Sequence, residues 1–359
     1  MRTRDELIRS LERDRIAHTV ARAGDGWMVV TPSLGARILG TGIGEENVLW
    51  TAPAFLTRGW SEGGNAGGAR TWIAPEAGSH GFFFSANGAN WDVPRELDPG
   101  DYRPVPADEG WIAFRNVFTA RSADGASFPV AITRSMRIEK LTPVQACGLS
   151  TGLRIRFRHE VENCGTTAVD RRLGLWCIVQ VPSERPGTIL IPVRDEAPPE
   201  CVRAYFGEVP PGVLRTTRGT VLLKALGGHK YKIGVPADAA SGRIAFVRPA
   251  RVHTGPPTRW TLLSLEFPVD PGASYLDKPS YEPAASGSNG DAIHAYSDPG
   301  RGDLAFSEIE AHAPAVRLAP RQRQSFEIGM TIAAGPEHEI MDCIRCEVAR
   351  EVMPLDLSW

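Results

Sequence analysis

From Trp27 to Ile332 the chain is a succession of short apolar runs, each ended within a few residues by Gly, Pro, Asp or Asn. A helix needs an apolar stripe sustained over several turns, and none lies between the runs. Runs of this length bounded by turn residues read as strands. The expected strands are Trp27–Val30, Ala36–Leu39, Val48–Trp50, Phe82–Ser85, Trp111–Thr119, Val130–Ile138, Leu153–Val161, Leu173–Val181, Val221–Leu226, Tyr231–Val235, Ile244–Val247, Thr261–Phe267, Ala292–Tyr296, Ala305–Ala311 and Ser325–Ile332. So many strands without intervening helices exclude a βαβ plan and predict an all-β fold, one large antiparallel β-sandwich. The 37 glycines and 29 prolines suit the many turns that such a fold requires.

Helical signals are confined to the two ends. Thr3-Arg-Asp-Glu6 has the capping-box spacing, with Leu7, Ile8 and Leu11 following at helical intervals. Ile340, Met341, Ile344 and Val348 mark a closing helix. The organisation expected is a helical segment over 1–20, one β domain over 21–335, and a C-terminal helix and tail over 336–359. No low-complexity linker divides the chain. The segment Asp277–Asp291 (DKPSYEPAASGSNGD) reads as a long loop, a kind that often carries function.

A formal charge of -2 and the absence of a basic stripe argue against a nucleic-acid partner. Arg154, Arg156 and Arg158 alternate with Leu153, Ile155 and Phe157, so they form the solvent face of one strand. No apolar run is long enough to cross a bilayer, and the charged N-terminus lacks the apolar core of a secretory signal. A cytoplasmic monomer or homodimer without membrane contact is the default expectation. Cys343-Ile-Arg-Cys346 has no second ligand pair, and Gly40-Thr-Gly42-Ile-Gly44 lacks the Lys-Ser/Thr of a phosphate loop. No His/Asp/Glu group has metal-ligand spacing along the chain, so no metal is expected. A set assembled from separate strands would leave no such trace.

Several residues could carry chemistry. On a strand, Glu308, Glu310 and His312 share a face, and mutual repulsion with burial would raise one carboxyl toward neutrality. Alternatively, they form the wet face of an edge strand. Arg70, Trp72 and Glu76 combine an indole that can stack on a sugar ring with groups that bind hydroxyls, and Gly67-Gly68 would let backbone approach a ligand. The other reading is a structural loop with Arg70 paired to Glu76. His80 follows as a weaker acid/base group. Arg134 interrupts the apolar face of Val130, Ile132, Met136 and Ile138, either to line a cleft or to form a buried ion pair. His159 interrupts another apolar face and reads as a core residue. Trp176 and Gln180 share a strand face as a platform beside an amide. Lys232 offers a further polar contact, and His253 and His294 are candidate acids.

Four segments, in order, resemble the galactose mutarotase-like (aldose 1-epimerase) superfamily, in a divergent form. They are GARILGTGIGEENVLW (Gly35–Trp50), GGARTWIAPEAG (Gly67–Gly78), HEVENCGTTAVDRRLGLWCIVQV (His159–Val181) and FSEIEAHAPAVRLAPRQRQSFEIGMTI (Phe306–Ile332). The His-Pro-x-Phe-like segment of many members has no counterpart here. The resemblance implies a β-supersandwich that binds a sugar or sugar derivative on a concave sheet face and interconverts its anomers without a cofactor. It implies that a carboxylate, Glu310 by preference, takes the anomeric proton, while an imidazole such as His253 or His294 protonates the ring oxygen. A non-catalytic sugar-binding protein, or a lyase or hydrolase on the same fold, are the other readings.

Overall fold

The structure, a computed structural model, describes residues 3–58, 64–84, 90–141, 151–194, 197, 201–217, 219–250, 259–279 and 290–348. The strands in chain order begin with β1 (Thr19–Ala23), β2 (Gly26–Thr31), β3 (Arg37–Ile43), β4 (Ala69–Ala74), β5 (Arg103–Pro104), β6 (Ile112–Arg121) and β7 (Ser127–Lys140). They continue with β8 (Gly152–Asn163), β9 (Gly174–Pro182), β10 (Gly187–Pro192), β11 (Arg203–Phe206), β12 (Leu214–Thr217) and β13 (Thr220–Ala225). The last six are β14 (Tyr231–Pro236), β15 (Arg243–Pro249), β16 (Trp260–Glu266), β17 (Asp291–Ser297), β18 (Phe306–His312) and β19 (Arg323–Gly335). The α-helices are α1 (Arg4–Arg13), α2 (Pro53–Arg58) and α3 (Glu337–Cys343).

Two antiparallel sheets result. The first has nine strands in the order β1-β2-β3-β4-β9-β18-β17-β14-β11, the second ten in the order β12-β13-β10-β15-β16-β19-β8-β7-β6-β5. The expected sandwich is therefore present. Val48–Trp50 and Phe82–Ser85 depart from expectation. The first makes no strand; of the second, Phe82–Phe84 contribute only the isolated Phe84–Trp91 bridge, and Ser85 lies outside the described residues.

Period-two alternation explains the second sheet. On β8, Leu153, Ile155, Phe157 and Val161 are buried, while Arg154, Arg156 and Arg158 face outward onto Glu266, Glu139 and Glu327. In the first sheet the central strands β4, β9 and β18 are buried on both faces. Thr71 meets His159 of β8 at 3.2 Å, so odd-numbered β4 residues point between the sheets. Ile73, Cys177, Val179, Ile309 and Ala311 fill that core. The opposite face carries Arg70, Trp72, Gln180, Glu308, Glu310 and His312, all buried. Polar side chains hidden on an outer sheet face must satisfy one another or a ligand.

Several sequence features prove structural. Thr3 and Glu6 form the full capping box of α1. Gly40 lies where a Cβ would strike Leu7 of α1, and Gly42 where it would strike the Glu46 carbonyl, so this glycine run serves close packing. Gly67 and Gly68 have φ of 93° and 78° and press against the Trp50 and Ile38 carbonyls, so they fit backbone to backbone rather than backbone to ligand. Cys343 is buried with Ile340, Ile344 and Val348, and Cys346 is exposed. No helix among the described residues is long and apolar enough to cross a membrane.

Candidate functional site

Strand register assembles the outer face. Trp176 of β9 lies opposite both Trp72 of β4 and His312 of β18. Glu308 lies opposite Gln180 and Tyr296, and Glu310 opposite His294 of β17. Lys232 enters from β14 and Tyr205 from β11. Residues more than two hundred positions apart thus become neighbours.

Two carboxylates organise the cluster. Glu308 Oε1 accepts from Arg70 Nη2 at 2.9 Å and Gln180 Nε2 at 2.7 Å. Its Oε2 has no partner among the described residues, and the residue keeps 7% exposure. Glu310 is fully buried, and its Oε2 accepts from Trp176 Nε1 at 2.8 Å and lies 3.3 Å from both Lys232 Nζ and His294 Nδ1. Lys232 also reaches Glu76 Oε2 at 3.1 Å, and Trp91 Nε1 donates to Glu76 Oε1 at 3.2 Å. The Arg70 guanidinium stacks 4.3 Å over Trp72, whose Nε1 donates to Asp98. Both Asp98 oxygens in turn accept from Arg37 Nη2.

The neighbouring carboxyls titrate apart. Burial, reinforced by the Glu310 charge and opposed by Arg70, pushes Glu308 up to about 7. Burial also acts against ionised Glu310, but Lys232 and the hydrogen bonds of His294 and His312 outweigh it and hold that carboxyl well below its ordinary value. Burial raises Glu76 against the pull of Lys232, and raises Asp291 to about 6. Burial and the Lys232 charge keep His294 well below the usual imidazole value.

The structure thus brings Arg70, Trp72, Glu76, Trp176, Gln180, Lys232, His294, Glu308, Glu310 and His312 onto one face. The ion pairs are Arg70–Glu308 and Lys232–Glu76, not the Arg70–Glu76 pair of the structural-loop reading. Arg134 lies elsewhere. It is fully buried between the sheets and donates to the Gly35 and Ala69 carbonyls at 2.9 and 3.2 Å, so it is not a cleft contact, and among the described residues it forms no ion pair. His80 sits at the surface, 3.9 Å from Asp124. His253 lies outside the described residues. His159 is a core residue, as its place in an apolar face implied. A surface depression of about 430 Å³, lined by Ser183, Glu184, His229 and Arg301, opens beside Ala305 and does not contain the carboxylates.

Sequence reasoning missed Trp91, Tyr205, Asp277 and Asp291. Tyr205 donates to Asp291 at 2.6 Å and meets His294 Nε2 at 2.8 Å. Asp277 accepts from the Glu76 amide at 2.8 Å. The two aspartates bound the Pro/Gly/Ser-rich segment, which was the available signal. Trp91 offered none, being one of nine tryptophans in an irregular stretch.

Comparison with known proteins bears on the fold. The Slr1438 protein from Synechocystis sp. PCC 6803 shares the fold at 11% identity and a TM-score of 0.52, covering 90% of this chain and 97% of its own. A galactose mutarotase-like protein from Lactobacillus casei ATCC 334 matches at 9% identity and 0.51, covering 88% and 100%. A candidate aldose 1-epimerase from Escherichia coli K12 matches at 11% identity and 0.50, covering 88% and 99%. These likenesses establish a galactose mutarotase-like fold. No curated protein matches the sequence. A family model described as a family of unknown function (DUF6786) matches residues 11–348.

Proposed function

The chain belongs to this DUF6786 family, and we propose that it binds a cyclic sugar on the outer face of the first sheet and interconverts its anomers by proton transfer. The observation that carries the reading is the Glu308 carboxyl. One oxygen is fixed by Arg70 and Gln180, and the other is unpartnered among the described residues. A general base needs this combination of a held orientation and a free lone pair. Trp91, 48% exposed and joined to the cluster through Glu76, supplies an open indole face for a sugar ring.

This assigns the base to Glu308 rather than to Glu310, the residue preferred from the resemblance. Glu310 is sealed from solvent, and one of its oxygens is already crowded by Trp176, Lys232 and His294. Its role is to hold Lys232 and the histidines in place. In the proposed step Glu308 takes the anomeric hydroxyl proton while Lys232 gives a proton to the ring oxygen as its bond to C1 breaks; rotation about C1–C2 turns the carbonyl, and reclosure on the other face reverses both proton transfers. The likeness in fold to a galactose mutarotase-like protein and a candidate aldose 1-epimerase supports the substrate class.

The test is one-dimensional proton NMR of freshly dissolved aldoses with the wild-type protein and Glu308→Gln. The wild type should accelerate anomer equilibration of at least one sugar. Loss of the base should lower that rate about 10²–10⁴-fold with affinity nearly kept. Equal rates in both proteins would remove Glu308 from the reaction. Sugar binding by the wild type without faster equilibration would favour the binding-protein reading.

A further inference from the structure

His294, Glu310 and His312 bring three metal-ligating atoms together, and all three side chains are buried. His312 Nε2 lies 2.9 Å from His294 Nδ1, and Glu310 Oε2 lies 3.3 Å from His294 Nδ1 and 3.9 Å from His312 Nε2. In a tetrahedral zinc centre, bonds of about 2.0–2.1 Å place donors about 3.3–3.4 Å apart. Small adjustments would therefore close this set on a single ion.

Oxygen atoms stand behind both imidazoles. The Tyr205 hydroxyl lies 2.8 Å from His294 Nε2, and Asp277 Oδ2 lies 3.7 Å from His312 Nδ1. Oxygen partners on the outer nitrogens are the usual support of metal-bound imidazoles.

A second observation agrees. Glu310 Oε1 is buried without a hydrogen-bond partner, so the carboxylate keeps lone pairs for a cation besides the donors that Trp176 and Lys232 direct at Oε2.

We propose that His294, Glu310 and His312 bind one divalent transition-metal ion of the zinc class, with a coordination position left open. Two imidazoles and a carboxylate suit such ions better than calcium or magnesium. The site goes beyond the sugar reading and does not rest on it. If both hold, the ion is the electrophile opposite Glu308.

The test uses the full chain, stripped with chelator and titrated with ZnCl₂ by calorimetry and with CoCl₂ by visible absorption. One zinc per chain is expected, together with cobalt bands of a low-coordinate centre that zinc bleaches. Asp277→Asn keeps the oxygen that accepts from Glu76 but weakens the support of His312, and should lower zinc affinity about 10–100-fold. The double variant His294→Gln/His312→Gln should lose the site. No stoichiometric uptake by the wild type would overturn the proposal, as would equal uptake by the double variant. If that variant fails to fold, the wild-type cobalt spectrum and Asp277→Asn decide it. Absent cobalt bands, or an unchanged zinc affinity in Asp277→Asn, would then count against the site. No sugar enters the assay, so the outcome is separate from that of anomer equilibration.

Discussion

Replacing Trp91 with alanine should weaken sugar binding about tenfold while leaving the chemical step nearly intact. The indole is 48% exposed, and its buried side stacks on Phe83 at 6.3 Å and 17°. A tryptophan presents about 250 Å² in all, so about 120 Å² of this one is open to water. A sugar ring covering half of that removes about 60 Å², worth about 1.5 kcal/mol at 25 cal/mol per Å², or roughly a tenfold change in affinity. Trp91→Phe should keep most of the stacking and lose only the hydrogen bond to Glu76. The assay is the dependence of anomer-exchange rate on concentration, using the sugar that the wild type equilibrates fastest. KM should rise in the alanine variant, with kcat within a few-fold. An unchanged KM would show that no ring rests on Trp91. A fall in kcat alone would mean that Trp91 acts through Glu76 and Lys232 instead.

Two further outcomes concern the scaffold. Burial, then the charge of Arg134, keeps His159 neutral well below the usual imidazole value. The unfolded chain takes up that proton below about pH 6.5, so stability falls as pH falls, by about 2 kcal/mol between pH 7 and pH 5 for this group. Urea unfolding at the two pH values should show that much less acid sensitivity in His159→Gln, and an identical loss in both proteins would refute the linkage. Arg134→Met removes the donor to the Gly35 and Ala69 carbonyls and should destabilise by about 2–5 kcal/mol. Sugar turnover at low temperature should be untouched, and a normal melting temperature would show that those carbonyls are satisfied in another way.

The fold was legible because alternation and turn chemistry are local. A strand such as β8 displays its buried and exposed faces in every pair of residues. Segment order then carried the resemblance, even though the solved relatives retain at most 11% identity. The site was legible strand by strand. Spacing put Glu308, Glu310 and His312 on one face, and Trp176 with Gln180 on another. It could not show that the two faces are the same surface, since that depends on β9 pairing with β18 across more than a hundred residues. Arg134 shows the opposite limit. A charge interrupting an apolar face announces a buried partner without saying whether that partner is a ligand, a carboxylate or, as here, two carbonyl oxygens.

Glu308 and Glu310 pose the sharpest case, since the sequence gives them the same residue type on the same face of the same strand. Everything that separates them comes from other strands. Glu308 meets Arg70 from β4 and Gln180 from β9 at a single oxygen. Glu310 meets Lys232 from β14, Trp176 from β9 and His294 from β17. A carboxylate with that many donors is anchored, and moving it would strand Lys232 or an imidazole in a buried setting where an unpaired charge is costly. A carboxylate held at one oxygen can exchange a proton at the other without disturbing its neighbours. The division of labour between two identical residues is thus a property of sheet topology. It also explains why Glu310 can serve as a ligand in the proposed metal site while Glu308, two residues earlier, remains free to act on a substrate.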